Sequence, residues 1–372
     1  MNKIVIRPSW VFESESGERV ESQLFVLLRG IEEHGRLTAA ARQAGLSYRH
    51  AWDLVGRWSR FFGTPLAEMQ RGRGARLTAL GARLLWAEQR SEASLHPQLE
   101  NIASELNLEI GRAREAARTV VRLHASHGYA VERIPALLQG SGLADVDLQY
   151  MSSMAALASL ARGDCLLAGF HVPCGAQGAI LWPHYEGWLQ ARQHRLIRLV
   201  LRTQGLIVPR GNPRGLKGLA DLVQPGLRFA NRQAGSGTRI LLDGLLRQAG
   251  VDATRIPGYD RGEFTHAAVA AYVASGMADA AFGVEPAARQ FRLDFLPVIR
   301  EHYLLACHRD SLELAPVREL LRLLQGPDFA RQIEEVPGYD LDQPGQVVSA
   351  VDFTSSLKAS VDSGPAHIKR AT

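Results

Sequence analysis

The rhythm of apolar and polar positions changes near residue 118. Before that point apolar residues recur at helical spacing; after it, short strand-like runs alternate with helical ones. Ile4-Val5-Ile6 and Trp10-Val11-Phe12 read as an N-terminal hairpin or ribbon with Gly17 at its turn. Leu24, Leu27, Leu28 and Ile31 mark one helix ending at Gly35. A second helix is predicted over Leu37–Ala44 and a third over Ser47–Phe62. The basic, glycine-containing loop Gln70–Arg76 follows, and then a long helical pattern from Thr78 to about Glu105 that Pro97 can kink or split.

The second part reads differently. Val120–Leu123 leads into a helical run at Val131–Leu138, and Val146–Tyr150 into another at Met154–Ala161. Leu166–Phe170, the extended run Leu199–Pro209, Leu227–Asn231 before a helix at Thr238–Gln248, then Ala278–Val284 and Phe295–Ile299 complete the strands. Strand–helix alternation predicts parallel α/β sheets, and residues 118–341 exceed one compact α/β unit, so two lobes are expected. The stretch after Asp342 has weak periodicity and reads as loosely ordered. The expected organisation is therefore an α+β multidomain chain: a head over 1–77, a linker helix over 78–117, a two-lobed α/β domain over 118–341 and a tail over 342–372.

Composition narrows the function classes. The 372 residues are 46% hydrophobic and 22% charged, which supports more than one packed core and excludes wholesale disorder. The formal net charge of +5 tilts toward polyanionic partners. Most of that positive charge is arginine, which forks onto phosphate and guanine, although arginine richness also fits a bias of genome composition. Cys165, Cys174 and Cys307 match no zinc spacing and read as free thiols of a reducing compartment. Met1–Trp10 lacks a signal peptide's apolar core, and no run is long enough to span a membrane. A cytoplasmic location is expected.

The stretch from Leu37 to Trp52 carries the first constellation. Small Ala40 and Ala41 allow two helices to cross closely, Gly45 supplies the positive φ of the turn, and Ser47 is placed to cap the third helix. That helix begins with Tyr48, Arg49 and His50, which reach base edges or phosphates in a helix-turn-helix. Trp52, Val55 and Trp58 recur at three-residue spacing and are expected to face the core, while Arg57 and Arg60 point toward phosphates. Arg71, Arg73 and Arg76 suit a wing. Thr38, Ser47, Tyr48, Arg49, His50, Trp52, Arg57, Arg71, Arg73 and Arg76 are thus the candidate DNA-binding residues. The alternative is a helical hairpin with a solvated basic face.

Thr38–Asp53 resembles the N-terminal domain of ModE-type molybdate regulators, most specifically over Ser47–Trp52. LysR-type regulators share the winged-helix and linker-helix plan. The resemblance implies a double-stranded DNA operator as partner, and a homodimer or homotetramer held in part by the helix after the wing.

The second constellation lies at strand ends. Asn231–Arg239 joins a strand to a helix, with glycines freeing the backbone and Ser236 and Thr238 supplying hydroxyls; such a turn makes an anion site. It is neither a dinucleotide fingerprint, since Ile240 stands where a third glycine belongs, nor a P-loop. Ser126-His127, Ser152-Ser153, Thr265-His266 and Glu285 follow or adjoin other strands, where ligands of open α/β sheets bind. Each hydroxyl taken singly is more often a helix cap than a ligand contact. Residues 120–340, with Asn231–Arg239, Thr265–Ala270 and Ala274–Ala280, resemble the type 2 periplasmic-binding-protein fold used as an effector domain. The resemblance implies a small anion between the lobes, contacted by Ser126, Ser152, Ser153, Asn231, Ser236, Gly237, Thr238 and Thr265, with charge from Arg232, Arg239, His127 and His266. ModE proteins usually carry a different, β-barrel oxyanion domain, so molybdate or tungstate and a small carboxylate such as formate both stand as effectors. No resident cofactor or metal is expected. An enzyme lacks support, because there is no Gly-x-Ser-x-Gly elbow and no His/Glu metal motif, and His171 with Cys174 is only a lone pair of ligand-type residues. A purely architectural DNA-binding protein would not need the α/β half.

Overall fold

The computed structural model describes residues 4–15, 17, 19–20, 22–70, 74–114 and 119–362. The chain divides into two compact units, one of residues 7–96 with 274–276 and one of residues 1–6, 97–273 and 277–372.

In the smaller unit β1 (Phe12–Glu13) pairs antiparallel with β2 (Arg19–Val20). Three helices follow, α1 (Gln23–His34), α2 (Leu37–Gln43) and α3 (Tyr48–Phe61), then the hairpin β3 (Ala67–Gln70) and β4 (Gly74–Leu77). The start of α4 (Ala79–Arg114) completes it, and α4 runs on through Pro97 as one helix. Leu24, Leu27, Leu28 and Ile31 of α1 bury against Leu37, Ala40 and Ala41 of α2 and Leu54, Val55 and Trp58 of α3. Gly45 holds φ +69° at the turn between α2 and α3.

The α1–α2 crossing leaves no room at Gly30. A Cβ there would lie 2.7 Å from both Cα and Cβ of Ala40. Gly30→Val is therefore expected to destabilise this unit by roughly 1–3 kcal/mol through overpacking. Calorimetry checks it: the transition of the smaller unit should move down while that of the larger unit stays in place.

The larger unit is built on one sheet. Its elements are β5 (Val120–Ala125), α5 (Ile134–Ser141), β6 (Asp145–Tyr150), α6 (Ser153–Arg162), β7 (Leu167–Pro173), α7 (Ala176–Leu181), α8 (Pro183–Glu186), β8 (His194–Val208), β9 (Phe229–Arg232), α9 (Gly237–Gln248), β10 (Gly262–Glu263), α10 (His266–Ala274), β11 (Ala280–Val284), α11 (Glu285–Gln290), β12 (Asp294–His308), α12 (Ala315–Leu324), α13 (Pro327–Glu334), β13 (Tyr339–Leu341), β14 (Val347–Val348) and α14 (Ala350–Asp362). Strand order is β10-β9-β11-β8-β12-β7-β5-β6, with β13 and β14 also on β8. β5 pairs in parallel with β6 and β7, and β9 with β10 and β11. β8 and β12, 15 residues each, are antiparallel to one another and carry a parallel set on either side.

Each parallel set nucleates a lobe. Val121, Leu123, Val146, Leu148 and Leu167 form the core of the first with Ile134 and Leu138 of α5. Phe229, Ala280 and Phe282 pack on Leu241, Leu242 and Leu246 of α9 in the second. β7 and β11 are buried along their whole length, as strands covered on both faces must be.

Two sequence expectations need correction. Ile4–Ile6 pairs in no strand among the described residues; the N-terminal ribbon is confined to β1 and β2. The stretch after Asp342, read as loosely ordered, contains β14 and α14, with Phe353 and Leu357 buried against Phe170, Trp182 and Leu304. Its weak periodicity arises because two apolar anchors suffice to dock a short helix on an existing core.

Candidate functional site

The carboxyl ends of the parallel strands meet the two long strands, and this is where buried polar side chains gather. Ser126 follows β5, Ser153 opens α6 after β6, His171 sits on β7, Arg202 and Gln204 on β8, and Glu301 and Tyr303 on β12. Pairing puts Arg202 opposite Glu301 and His171 opposite Tyr303, so these side chains share one face of the sheet. Thr238, Thr265 and His266 approach from the second lobe and are also buried.

Their hydrogen bonds form one network. Arg202 donates from Nε to Glu301 and, at 3.4 Å, from Nη1 to the carbonyl of His127. Gln204 donates to the same Glu301 oxygen at 2.7 Å and to Thr238 Oγ1 at 3.4 Å. Ser126 Oγ and Ser153 Oγ lie 3.2 Å and 3.3 Å from Nδ1 of His171. Tyr303 donates its hydroxyl to the Ser126 carbonyl and receives the Ser126 hydroxyl at 3.2 Å. His171 Nε2 faces Gly237, where a Cβ would stand 2.3 Å away. A glycine is needed there because first-lobe and second-lobe atoms touch. Beside this contact is a space of about 10 Å³ lined by Ser153, His184, Tyr185, Gly235 and Gly237, room for about one water.

The electrostatics are unbalanced. Among the described residues the buried charged side chains are Arg202, Arg232 and Glu301, two cations and one anion. Burial alone would raise the Glu301 carboxyl, but Arg202, with help from His171 and Gln204, holds it below the ordinary value. Burial and then the charge of Arg202 bring Arg232 down to about 9. Burial brings His171 down to about 4. His266 falls well below its usual value through burial and the charges of Arg232 and Arg202. The histidines are therefore neutral at pH 7, and the cluster carries one uncompensated positive charge.

The sequence-derived residues divide into groups. Ser126, Ser153, Gly237, Thr238 and His266 enter the cluster. Ser152, Ser236 and Thr265 take the alternative role of caps, accepting from the backbone of Ala155 at 3.2 Å, Arg239 at 3.2 Å and Ala268 at 2.9 Å. His127 contributes its carbonyl, while its ring packs 5.1 Å from that of Tyr150. Asn231 is spent on Tyr259 O and its neighbour's N–H. Arg232 adds its charge to the cluster through Arg202 and Glu301, while its guanidinium donates to the carbonyls of Glu263 and Phe264. Arg239 stacks on Tyr259 and pairs with Asp243, away from the cluster. Glu285 pairs with Arg289 on the surface of α11.

Arg202, Gln204, Glu301 and Tyr303 were missed, and His171 was considered only as a metal ligand. Arg202 and Gln204 interrupt the apolar run Leu199–Pro209, and that interruption was the available signal. Glu301 lies beyond the strand end assigned at Ile299. Among the described residues no group of three His, Cys, Asp or Glu is placed to hold a metal ion. None of their helices is long and apolar enough to cross a membrane.

On the smaller unit Ser47 caps α3, accepting from His50 N at 3.2 Å. Thr38, Tyr48, Arg49, His50, Arg57, Arg60 and Arg76 are all exposed. Arg71 and Arg73 lie outside the described residues. Trp52 corrects an expectation: it is 46% exposed, and its ring lies 6.1 Å from that of Tyr48. Three-residue steps drift around a helix, so the core positions of α3 are Ala51, Leu54, Val55 and Trp58, at steps of three and four.

The family model described as a PBP superfamily domain matches residues 136–325. The uncharacterized protein YvgK of Bacillus subtilis is 32% identical over 200 residues, 54% of this chain and 64% of its own length. The molybdenum-pterin-binding protein MopA of Rhodobacter capsulatus is 35% identical over 89 residues, 23% of this chain and 34% of its own. The chain thus spans less than two thirds of either relative. The structure of CbnR, a LysR family transcriptional regulator, superimposes at a TM-score of 0.39 with 18% identity, over 81% of this chain and 98% of that one. With its strand order, long connecting strands and family match, this chain belongs to the PBP superfamily.

Proposed function

We propose that this protein is a transcriptional regulator of the ModE/LysR kind, whose winged helix-turn-helix reads DNA under control of a small anion held between the lobes of the larger unit. One observation carries the reading: the same chain combines an exposed, Ser47-capped helix bearing Tyr48, Arg49, His50 and Trp52 with a buried inter-lobe cluster that has one positive charge in excess. A helix of that kind fits a major groove, with Arg57, Arg60 and Arg76 toward phosphates. The excess charge calls for an anion, because a buried charge is tolerated when paired.

The space left by the touching lobes implies that the effector is small and enters when β8 and β12 flex. It acts on DNA binding only through a difference in affinity for the two lobe arrangements. A tetrahedral oxyanion such as molybdate or tungstate and a small carboxylate such as formate both meet the charge requirement. The name of the Rhodobacter relative supports a link to molybdenum. Ile102, Leu106 and Ile110 leave an exposed apolar stripe on α4 that suits pairing with a second copy, giving a dimer or tetramer with recognition helices about one DNA turn apart.

Gel-shift titration on the DNA upstream of the gene tests the reading. Binding should weaken steeply with salt, and Arg49→Ala should weaken it at least about tenfold. An anion from the set molybdate, tungstate, sulfate, formate should shift the titration. Thr238→Val should abolish that shift and leave the anion-free titration in place. Absence of binding at low salt sinks the DNA reading.

A further inference from the structure

The inter-lobe cluster contains buried polar atoms for which the protein supplies no partner. Glu301 Oε2 and Gln204 Oε1 are acceptors and Arg202 Nη2 is a donor, none of them hydrogen-bonded within the protein, with His171 Nε2 beside them and the Tyr339 hydroxyl on the strand next to Arg202. Glu301 and Gln204 are 0% exposed and Arg202 1%. All of these side chains stand on the same face of β7, β8 and β12, against Thr238 and Gly237 of α9. Other buried groups offer less. Tyr259 and Asp243 satisfy one another, and the Asp342 carboxylate is taken up by Arg198 and by Nδ1 of His302.

An anion alone answers only half of this arrangement. Arg202 Nη2 asks for an acceptor, and an anionic oxygen supplies it. Glu301 Oε2 and Gln204 Oε1 ask for donors, and a fully deprotonated anion has none. Its oxygens would instead face a carboxylate oxygen in a dry site, where lone pairs repel and unmade hydrogen bonds are costly. Charge points the same way: two guanidinium groups against one carboxylate leave room for a single negative charge.

Resting on the reading of this cluster as the effector site, we infer that the effector is a monoanion carrying a hydroxyl donor, and that Glu301 selects for the hydroxyl. Two classes share this chemistry, a hydroxycarboxylate and a singly protonated oxyanion. The anionic oxygen takes Arg202, and the hydroxyl donates to Glu301 Oε2. Formate and nitrate lack the donor; molybdate and sulfate lack it at neutral pH and carry a second charge.

Isothermal titration of the full chain with two matched pairs tests this. Glycolate differs from acetate by its hydroxyl, and singly charged methylphosphonate differs from methanesulfonate by its P–OH. In mildly acidic buffer the hydroxyl-bearing member of one pair should bind at least about tenfold more tightly, and the pair that shows it tells which class is recognised. In Glu301→Gln, which can donate as well as accept, that gap should fall below about threefold. The wild-type pairs decide the question even if the variant does not fold. Equal or tighter binding of both hydroxyl-free members overturns the inference. So does binding of formate, sulfate or molybdate when none of the four compounds binds, although the anion site then stands. If no anion of either set binds, the anion reading falls as well.

Discussion

Glu301→Ala is expected to destabilise the larger unit by about 3–5 kcal/mol. The loss does not measure the worth of the ion pair. It measures what is left behind: Arg202 is 1% exposed, lies 5.5 Å from the Tyr303 ring centroid, and would share a dry region with Arg232 and no anion. Gln204 would lose its 2.7 Å acceptor at the same time. The joint replacement Arg202→Met with Glu301→Leu removes both charges and should recover most of the loss, because desolvating a buried pair costs about as much as its attraction returns. Denaturant unfolding of the three proteins tests this. A single variant within about 1 kcal/mol of the unsubstituted protein would mean that water reaches Arg202. A double variant as weak as the single one would mean that packing, not charge, accounts for the effect. The same double variant should no longer respond to any anion, since it lacks the groups proposed to hold one.

How far the sequence went depends on which physical signal each element carries. Helices α1 to α3 were legible because their apolar residues repeat at helical spacing and their ends carry Gly35, Gly45 and Ser47, each with a local reason to stop or start a helix. The parallel strands other than β10 were legible as apolar runs bounded by turns. The placement of Trp52 was not, because a large aromatic reads as core unless its angular position is worked out against Val55 and Trp58. The site was half legible. Hydroxyls at strand ends announced themselves, yet Ser152, Ser236 and Thr265 proved to be caps, a role with the same residue preference. The charged centre came from the strands that join the lobes. Arg202 and Glu301 are 99 residues apart in sequence, and only the antiparallel register of β8 and β12 makes them neighbours. No local pattern encodes that pairing. The one local hint was Arg202 and Gln204, flanking Thr203 inside the otherwise apolar run Leu199–Pro209.

His171 should make the protein sensitive to acid in a defined window. Its native value is about 4 against an ordinary 6.5, with burial the main cause, partly opposed by Glu301 and reinforced by Arg202 and Arg232. The sign follows from proton counting. Between pH 6.5 and about 4 the unfolded chain binds a proton that the native histidine refuses, so stability falls as pH falls through that window. The full drop attributable to His171 is about 3 kcal/mol. Glu132 works against it: burial raises its carboxyl to about 7, so the native state holds a proton there that the unfolded chain has lost, and stability rises as pH falls toward 4.5. Glu301, held below its ordinary 4.5, adds its own loss only at lower pH. His266, also held well below its ordinary value, adds a loss on the same side as His171, so the informative quantity is a difference. His171→Gln removes one titrating group and leaves Glu132 in place. The stability gap between the unsubstituted protein and this variant should shift by about 3 kcal/mol in favour of the variant between pH 7 and pH 4. Denaturant titrations at several pH values measure it. A gap that stays constant would mean that His171 is solvated in the native protein, and the closed contact between its Nε2 and Gly237 would then not persist in solution.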